Sequence, residues 1–251
     1  MRPFFIIAAL LVLVLGVPPL WLVGSVPPAN ALAVLLAPDV APAVAVSLAA
    51  SLLALAASVV LGIPAGYALA RARGWWRGPA TFAVALPLVF PPIATGVMLL
   101  ALVGTRTPLG TALGAIGLQI VDRLGGVALA EFFVSAPFIV IAAAAAFGEV
   151  DVRLEEAART LGATTLRTFF IVSLPLAAPT ISAGVLLGWL RALGEYGATS
   201  IVAYHPTSLP VALYIVLSSD GLQRALALAY AFIVFAALVV AAQAALRRRL
   251  L

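Results

Sequence analysis

The sequence predicts an all-α, polytopic membrane bundle of six spans, and three observations point to it. Hydrophobic residues make up 65% of the 251 and charged residues only 9%, where an ordinary soluble domain carries about 25% charged residues. Six apolar runs each reach the ~20 residues that a helix needs to cross the hydrocarbon of a bilayer. Arginines gather at alternate ends of those runs. The length suits one compact bundle, so residues 1–251 read as a single domain, with a core over 43–246 and a charged loop over 149–175.

The first run, Pro3 to Val26, extends past the apolar core of about 7–15 residues typical of a signal peptide, the alternative reading, and no convincing small-residue cleavage site follows it. It reads as a retained span, kinked or frayed at Pro18-Pro19. Pro27 to Pro42 is rich in proline and reads as a loop. The second span, Ala43 to Ala70, offers Ser47, Ser51, Ser58, Gly62 and Gly66 as small contact residues. Arg71, Arg73 and Arg77 follow beside Trp75 and Trp76, an interfacial anchor.

The third span, Ala80 to Val103, contains LPLVFPPIATG. Pro87, Pro91 and Pro92 cannot all sit in a regular helix without loss of backbone hydrogen bonds. A bilayer tolerates such a break where protein or a water-filled path surrounds it, so the segment is either a structural kink or the lining of a path. Thr105 to Gly126 reads as a loop with a weakly amphipathic piece, Leu113 to Leu124. The fourth span, Val127 to Phe147, is interrupted by Pro137, and its Glu131 is shallow enough to reach the interface. The fifth runs from Ala177 to Ala203. After a loop with His205, Val211 to Leu217 is expected to re-enter or lie at the interface. The sixth span, Leu222 to Leu246, ends in Arg247, Arg248 and Arg249.

Arg2, Arg71, Arg73, Arg77, Arg153, Arg159, Arg167 and the terminal arginines fall on one side; Arg106, Arg123 and Arg224 fall on the other. The positive-inside rule then places both termini and the 149–175 stretch in the cytoplasm of a cell-membrane protein. The alternation requires an even number of spans.

Composition also excludes chemistry. With no cysteine there is no disulfide and no cysteine-ligated metal. With no lysine there is no Walker-type phosphate-binding lysine. His205 is the single histidine and leaves no partner for a two-histidine metal site. The net charge of +5 comes from arginines scattered at membrane boundaries rather than a nucleic-acid footprint. No serine, histidine and carboxylate set marks an intramembrane hydrolase.

Two places carry charge against this background. Glu149 to Pro175, EVDVRLEEAARTLGATTLRTFFIVSLP, is the longest charged stretch. It reads as two short helices: Asp151 caps the first, Gly162 stops it, Thr164 or Thr165 caps the second, and Pro175 ends that one. It is either a spacer or a docking surface. Arg191 and Glu195 fall in the middle of the fifth span at a spacing that puts both on one helix face, where they can pair. Each costs about 2.5–3.5 kcal/mol at the centre of a membrane helix. Their stripe continues through Gly184, Gly188 and Thr199, and should face protein or water. The pair either locks the bundle or lines a gate.

Glu156-Ala157-Ala158, Gly162 and Val172-x-Leu174-Pro175 form the spacing EAA-x3-G-x9-[IV]-x-LP. This resembles the signature loop of ABC importer permeases, the binding-protein-dependent transport family. LPLVFPPIATG and RALGEYGATSIVAYHP resemble the third- and fifth-helix segments of its molybdate, tungstate and sulfate subfamily, and the likeness runs from about residue 43 to the C-terminus. It implies a type I importer permease fold and transfer of a tetrahedral oxyanion, molybdate or tungstate first. Sulfate, thiosulfate, ferric iron, thiamine and polyamine are the alternatives within transport; a scaffold or an intramembrane enzyme is the alternative outside it. The resemblance further implies a homodimer in the lipid bilayer, two ATP-binding subunits at the cytoplasmic loop and an extracytoplasmic substrate-binding protein, with no nucleic acid partner. ATP and Mg²⁺ would sit on the partner ATPase, and this chain would bind no cofactor and be no enzyme. Glu155, Glu156, Ala157, Ala158, Gly162, Leu174 and Pro175 would couple to the ATPase. Pro91, Pro92, Thr95, Arg191, Glu195 and Thr199 would line the path or gate.

Overall fold

The computed structural model describes residues 2–250, so Met1 and Leu251, the ends of the single-domain reading, lie outside the described residues. Thirteen α-helices and one π-helical turn are present among them, with no strand. Helix α1 is Arg2–Ser25, α2 Pro28–Leu35, α3 Ala41–Arg71, α4 Arg77–Val89, α5 Pro92–Val103, α6 Pro108–Ala115 and α7 Leu124–Glu149. Then come α8 Val152–Thr160, α9 Thr165–Thr168, the π turn Phe169–Ser173, α10 Leu174–Leu193, α11 Thr199–Val202, α12 Leu209–Ser219 and α13 Leu222–Leu250. Five helices are long and apolar enough to cross a membrane, or six if the bent pair α4–α5 counts as one span.

Helices α3 and α7 run parallel at the centre. Gly62 faces Ile139 and Val140, and Gly66 faces Ala143 and the Val140 carbonyl. The small stripe foreseen on α3 is buried throughout, from Ser47 and Ser51 through Ser58, Gly62 and Gly66. Helix α10 runs antiparallel to α7: Gly184 lies against Ala142, and Gly188 against Ile139 and the Ser135 carbonyl. Small residues let helix backbones approach where lipid supplies no hydrophobic drive between helices.

Several boundaries differ from the sequence reading. Pro27 to Pro42 is not wholly a loop, because Pro28 starts α2. Pro108 likewise starts α6, where the sequence placed its helical piece at Leu113–Leu124. A proline at the first helical turn gives up an N–H that has no partner there anyway. Helix α1 continues through Pro18 and Pro19. The segment Val211–Leu217 is the middle of α12, whose Leu209, Val211, Ala212 and Val216 are buried against α3 and α13.

The third and fifth spans are the larger corrections. Ala80–Val103 is two helices that bend by 113° at Phe90-Pro91. The fifth helical run begins at Thr165, not Ala177, and passes through Pro175 without ending. Pro175 cannot donate to the carbonyl four residues back, and its ring crowds that carbonyl; the π turn just before it widens the ladder there. Starting earlier, the run also ends earlier, at Leu193. Arg191 therefore sits in the last turn of α10 rather than mid-span, and Glu195 and Thr199 lie beyond that helix.

Candidate functional site

The 149–175 stretch takes the caps that its residues foretell, although its second helix runs on through Pro175 into α10. Asp151 Oδ1 accepts the Arg153 N–H at 2.9 Å and starts α8. Gly162 takes φ +89°, the left-handed conformation open to glycine, and stops it. Thr164 Oγ1 accepts the Arg167 N–H at 3.3 Å and starts α9. Helix α8 presents Glu156 and Ala157 to solvent, with Ala158 half-buried and Glu155 buried. Ala157, Ala158, Leu154, Leu161, Val172 and Pro175 line an open apolar groove of about 500 Å³. Leu174 is half-buried and packs instead on the Phe147–Phe169 cluster beneath.

Glu155 holds that stretch to the bundle. Its carboxylate accepts from Arg71 Nη2 at 2.7 Å, from Ser173 Oγ at 2.7 Å and from Tyr67 Oη at 3.1 Å. Arg71 Nη2 also donates to the Val150 carbonyl at 3.2 Å. Burial pushes the carboxyl up, but the hydrogen bonds from Arg71, Ser173 and Tyr67 outweigh it and hold Glu155 below the usual carboxylate range. Below it, Tyr67 stacks edge-on against Phe147 and Phe169, each at 5.1 Å. Sequence reasoning placed Glu155 in the functional stretch but missed its partners. Arg71 was spent on orientation; Tyr67, one turn before it on the same face of α3, was the readable signal.

At the far end of α10, Pro92, Thr95 and Arg191 line one cavity of about 160 Å³, together with Pro87, Val134 and Phe138. The cavity lies inside the α4–α5 bend. Arg191 Nη1 pairs with Glu195 Oε2 at 2.6 Å, so the foreseen pair forms although its residues do not share a helix. Glu195 Oε1 accepts the Ala198 N–H at 2.7 Å and orders the turn after α10. Pro91 precedes α5 outside the cavity, and Thr199 is buried with its hydroxyl unpartnered among the described residues. Gly197 packs tightly on Pro92, which holds the turn against the bend.

Glu131 departs from expectation. It is fully buried rather than interfacial, and neither carboxylate oxygen has a partner among the described residues. The 195–203 segment folds back over α7, and Ala198 and Val202 pack on Ala130 and Val134 beside it. Among the described residues no cluster of acidic or histidine side chains is able to hold a metal ion.

Residues 59–251 match the family model of the binding-protein-dependent transport system inner membrane component. The chain belongs to that family. Its members are transport permeases, and the apolar helices make this one a multi-pass membrane protein. A probable molybdenum ABC transporter permease of Haloferax volcanii is 43% identical over 169 residues, 67% of this chain and 61% of the relative. A molybdate/tungstate transport system permease of Pyrococcus abyssi is 37% identical over 166 residues, 66% of this chain and 62% of that one. A molybdenum transport system permease of Haemophilus influenzae is 35% identical over 172 residues, 66% of this chain and 75% of that one. The matches thus span less than two thirds of the first two relatives' own length. Among solved structures, a bacterial ABC transporter that imports the acidic polysaccharide alginate aligns with a TM-score of 0.70 at 19% identity, over 99% of this chain and 94% of that one. The MetNI methionine ABC transporter in an inward-facing conformation aligns with a TM-score of 0.67 at 19% identity, over 83% and 94%. These two structures share the fold, the type I ABC importer permease architecture.

Proposed function

We propose that this chain is the permease subunit of an ATP-driven importer for a tetrahedral oxyanion, molybdate or tungstate, passed from an extracytoplasmic binding protein to the cytoplasm. The observation that carries the reading is the likeness to permeases named for those anions over two thirds of the chain. The site is compatible with it. A single guanidinium, Arg191, reaches the cavity at the α4–α5 bend. Glu195 offsets its charge, so an anion would meet a moderated rather than a trapping site. Conduction favours such weak, transient contact.

The arginine bias supports cytoplasmic termini and puts α8 on the cytoplasmic side of the cell membrane. There the exposed Glu156, Ala157 and Gly162, the half-buried Ala158 and the groove beside Pro175 would form the surface that two ATP-binding subunits grip. ATP and Mg²⁺ would sit on those subunits, because this chain brings no phosphate-binding lysine. A homodimer would shelter part of the apolar surface that a single copy leaves open, such as α1, only 6% buried over its most apolar window.

The test is reconstitution in liposomes with an ATP-binding subunit and an extracytoplasmic binding protein from the same organism. Uptake of molybdate or tungstate, dependent on ATP and on the binding protein, is expected. Uptake of sulfate alone would move the chain to the sulfate branch, and ATP-independent passage would end the importer reading.

A further inference from the structure

The buried carboxylate of Glu155 has partners on three separate parts of the fold. Tyr67 and Arg71 come from the last turns of α3, Ser173 from the π turn that leads into α10, and Arg159 from α8 itself at 3.7 Å. Through Arg71 the same network takes in the Val150 carbonyl, in the link between α7 and α8. Glu155 is 1% exposed. It cannot touch a partner protein without leaving these bonds. Its neighbour Glu156 is the exposed one. The two adjacent glutamates therefore do different work: Glu156 faces outward and Glu155 faces the bundle.

We infer that Glu155 is a positioning residue, the pin that makes α8 move as one body with the ends of α3 and α10 when a partner pulls on its outer face. This inference rests on the reading of α8 as the ATPase-coupling helix. The geometry favours a rigid pin over a loose tether. Arg71 reaches Glu155 through both Nε and Nη2, at 3.2 and 2.7 Å, which fixes orientation as well as distance. The Tyr67–Phe147–Phe169 cluster closes the network from beneath. Removal of either charge leaves the other with no equal partner in a largely dry site, so the two states of the network are bonded and broken, with little between. The far end of α3 is tied as well: Trp189 Nε1 donates to Ser51 Oγ at 3.1 Å, two positions from Arg191. A displacement that α3 shares with α8 thus arrives beside the cavity.

The experiment uses the full transporter, with its ATP-binding and binding proteins, in liposomes. Uptake is measured per ATP hydrolysed for wild type, Glu155→Gln, and the exchanged pair Arg71→Glu with Glu155→Arg. In parallel, spin labels at Ala68→Cys on α3 and Arg153→Cys on α8, both exposed, report the α3–α8 distance; the chain has no cysteine of its own. Glu155→Gln is expected to lower uptake per ATP by about tenfold, within the usual range of coupling between sites, and to broaden the spin-label distance. The exchanged pair is expected to recover part of both. An unchanged uptake-to-ATP ratio with a narrow distance would overturn the inference. Loss of ATPase co-purification in Glu155→Gln would also overturn it, by making Glu155 a docking contact. A Gly162→Val arm separates the underlying reading: if that variant keeps full co-purification and uptake, α8 is not the coupling helix at all, whatever Glu155 does.

Discussion

Arg191 and Glu195 meet at 2.6 Å across the end of α10, and the second Glu195 oxygen caps the following turn through the Ala198 N–H at 2.7 Å. Glu195 is 1% exposed, while the Arg191 side chain is 31% exposed on the cavity side. The asymmetry sets the expected outcomes. Arg191→Ala leaves a buried carboxylate without its cation, a loss of about 3–5 kcal/mol when such a pair is broken. Arg191→Ala with Glu195→Ala is expected to recover part of that loss in thermal unfolding of the purified protein. Both variants are expected to lose oxyanion uptake. Normal uptake in a well-assembled double variant would remove the pair from transport and leave it a structural lock.

Glycine contacts on α3 give a prediction of packing alone. A Cβ at Gly66 would stand 2.5 Å from Ala143 Cβ and 2.8 Å from the Val140 carbonyl, whereas at Gly78 it would meet nothing. Gly66→Ala is expected to lower stability by about 1–3 kcal/mol through overpacking. Gly78→Ala, inside α4, is expected to be neutral or stabilising by up to about 1 kcal/mol. Thermal unfolding of the two variants side by side decides it; equal midpoints would mean that α3 and α7 are less closely packed than their contacts state.

The pH response of α8 follows from Glu155. Its folded carboxyl lies below the ordinary value because the bonds from Arg71, Ser173 and Tyr67 outweigh its burial. A depressed folded value means that its contribution to stability is fully present above the unfolded value, about 4.3 for glutamate, and is lost as pH falls through the folded value. The α3–α8 distance is therefore expected to hold from neutral pH down past that point and to loosen only in stronger acid. Loosening already near pH 6 would contradict the network.

Much of this architecture was legible because apolar length and arginine placement are dictated by the bilayer itself. The stripe Ser47–Gly66, the caps at Asp151 and Thr164 and the stop at Gly162 all rest on local rules that tertiary packing did not override; the Arg191–Glu195 pair forms too, but across the end of α10 rather than along one helix face. What failed was punctuation. The proline-rich Pro27–Pro42 reads as a loop although Pro28 opens a helix, the helical piece of the 105–126 loop starts at Pro108 rather than Leu113, and Pro175 reads as a terminator although a π turn carries the helix through it. The end of α10 at Leu193 was hidden because the residues beyond it are as apolar as a span. Glu131 and the partners of Glu155 were missed for one shared reason: their environment is made by segments distant in sequence, which periodicity along one helix does not reveal.

Gly162 separates backbone strain from contact. Nothing lies within 4 Å of where its Cβ would be, so Gly162→Val creates no clash; the difficulty is φ +89°. Forcing a β-branched residue into that region costs about 1–3 kcal/mol, borne by the α8–α9 turn rather than the bundle. The expected result is a permease that still inserts and unfolds near the wild-type temperature but co-purifies poorly with its ATP-binding subunits. Full co-purification and uptake would make the turn a passive spacer.

Glu131 supplies the sharpest stability test. Its carboxylate is fully buried with both oxygens unpartnered among the described residues, and Ala130, Val134, Ala198 and Val202 pack apolar surface around its place on α7. A lone ionised carboxylate in such a site is strongly unfavourable. Glu131→Gln keeps the shape and can carry no charge there, so it is expected to leave thermal stability unchanged or raise it by about 2–4 °C, the shift that roughly 1 kcal/mol produces in a domain of this size. Glu131→Ala would open a void and is expected to fall below both. A fall of several degrees in Glu131→Gln would instead mean that the carboxylate has a partner beyond the described residues.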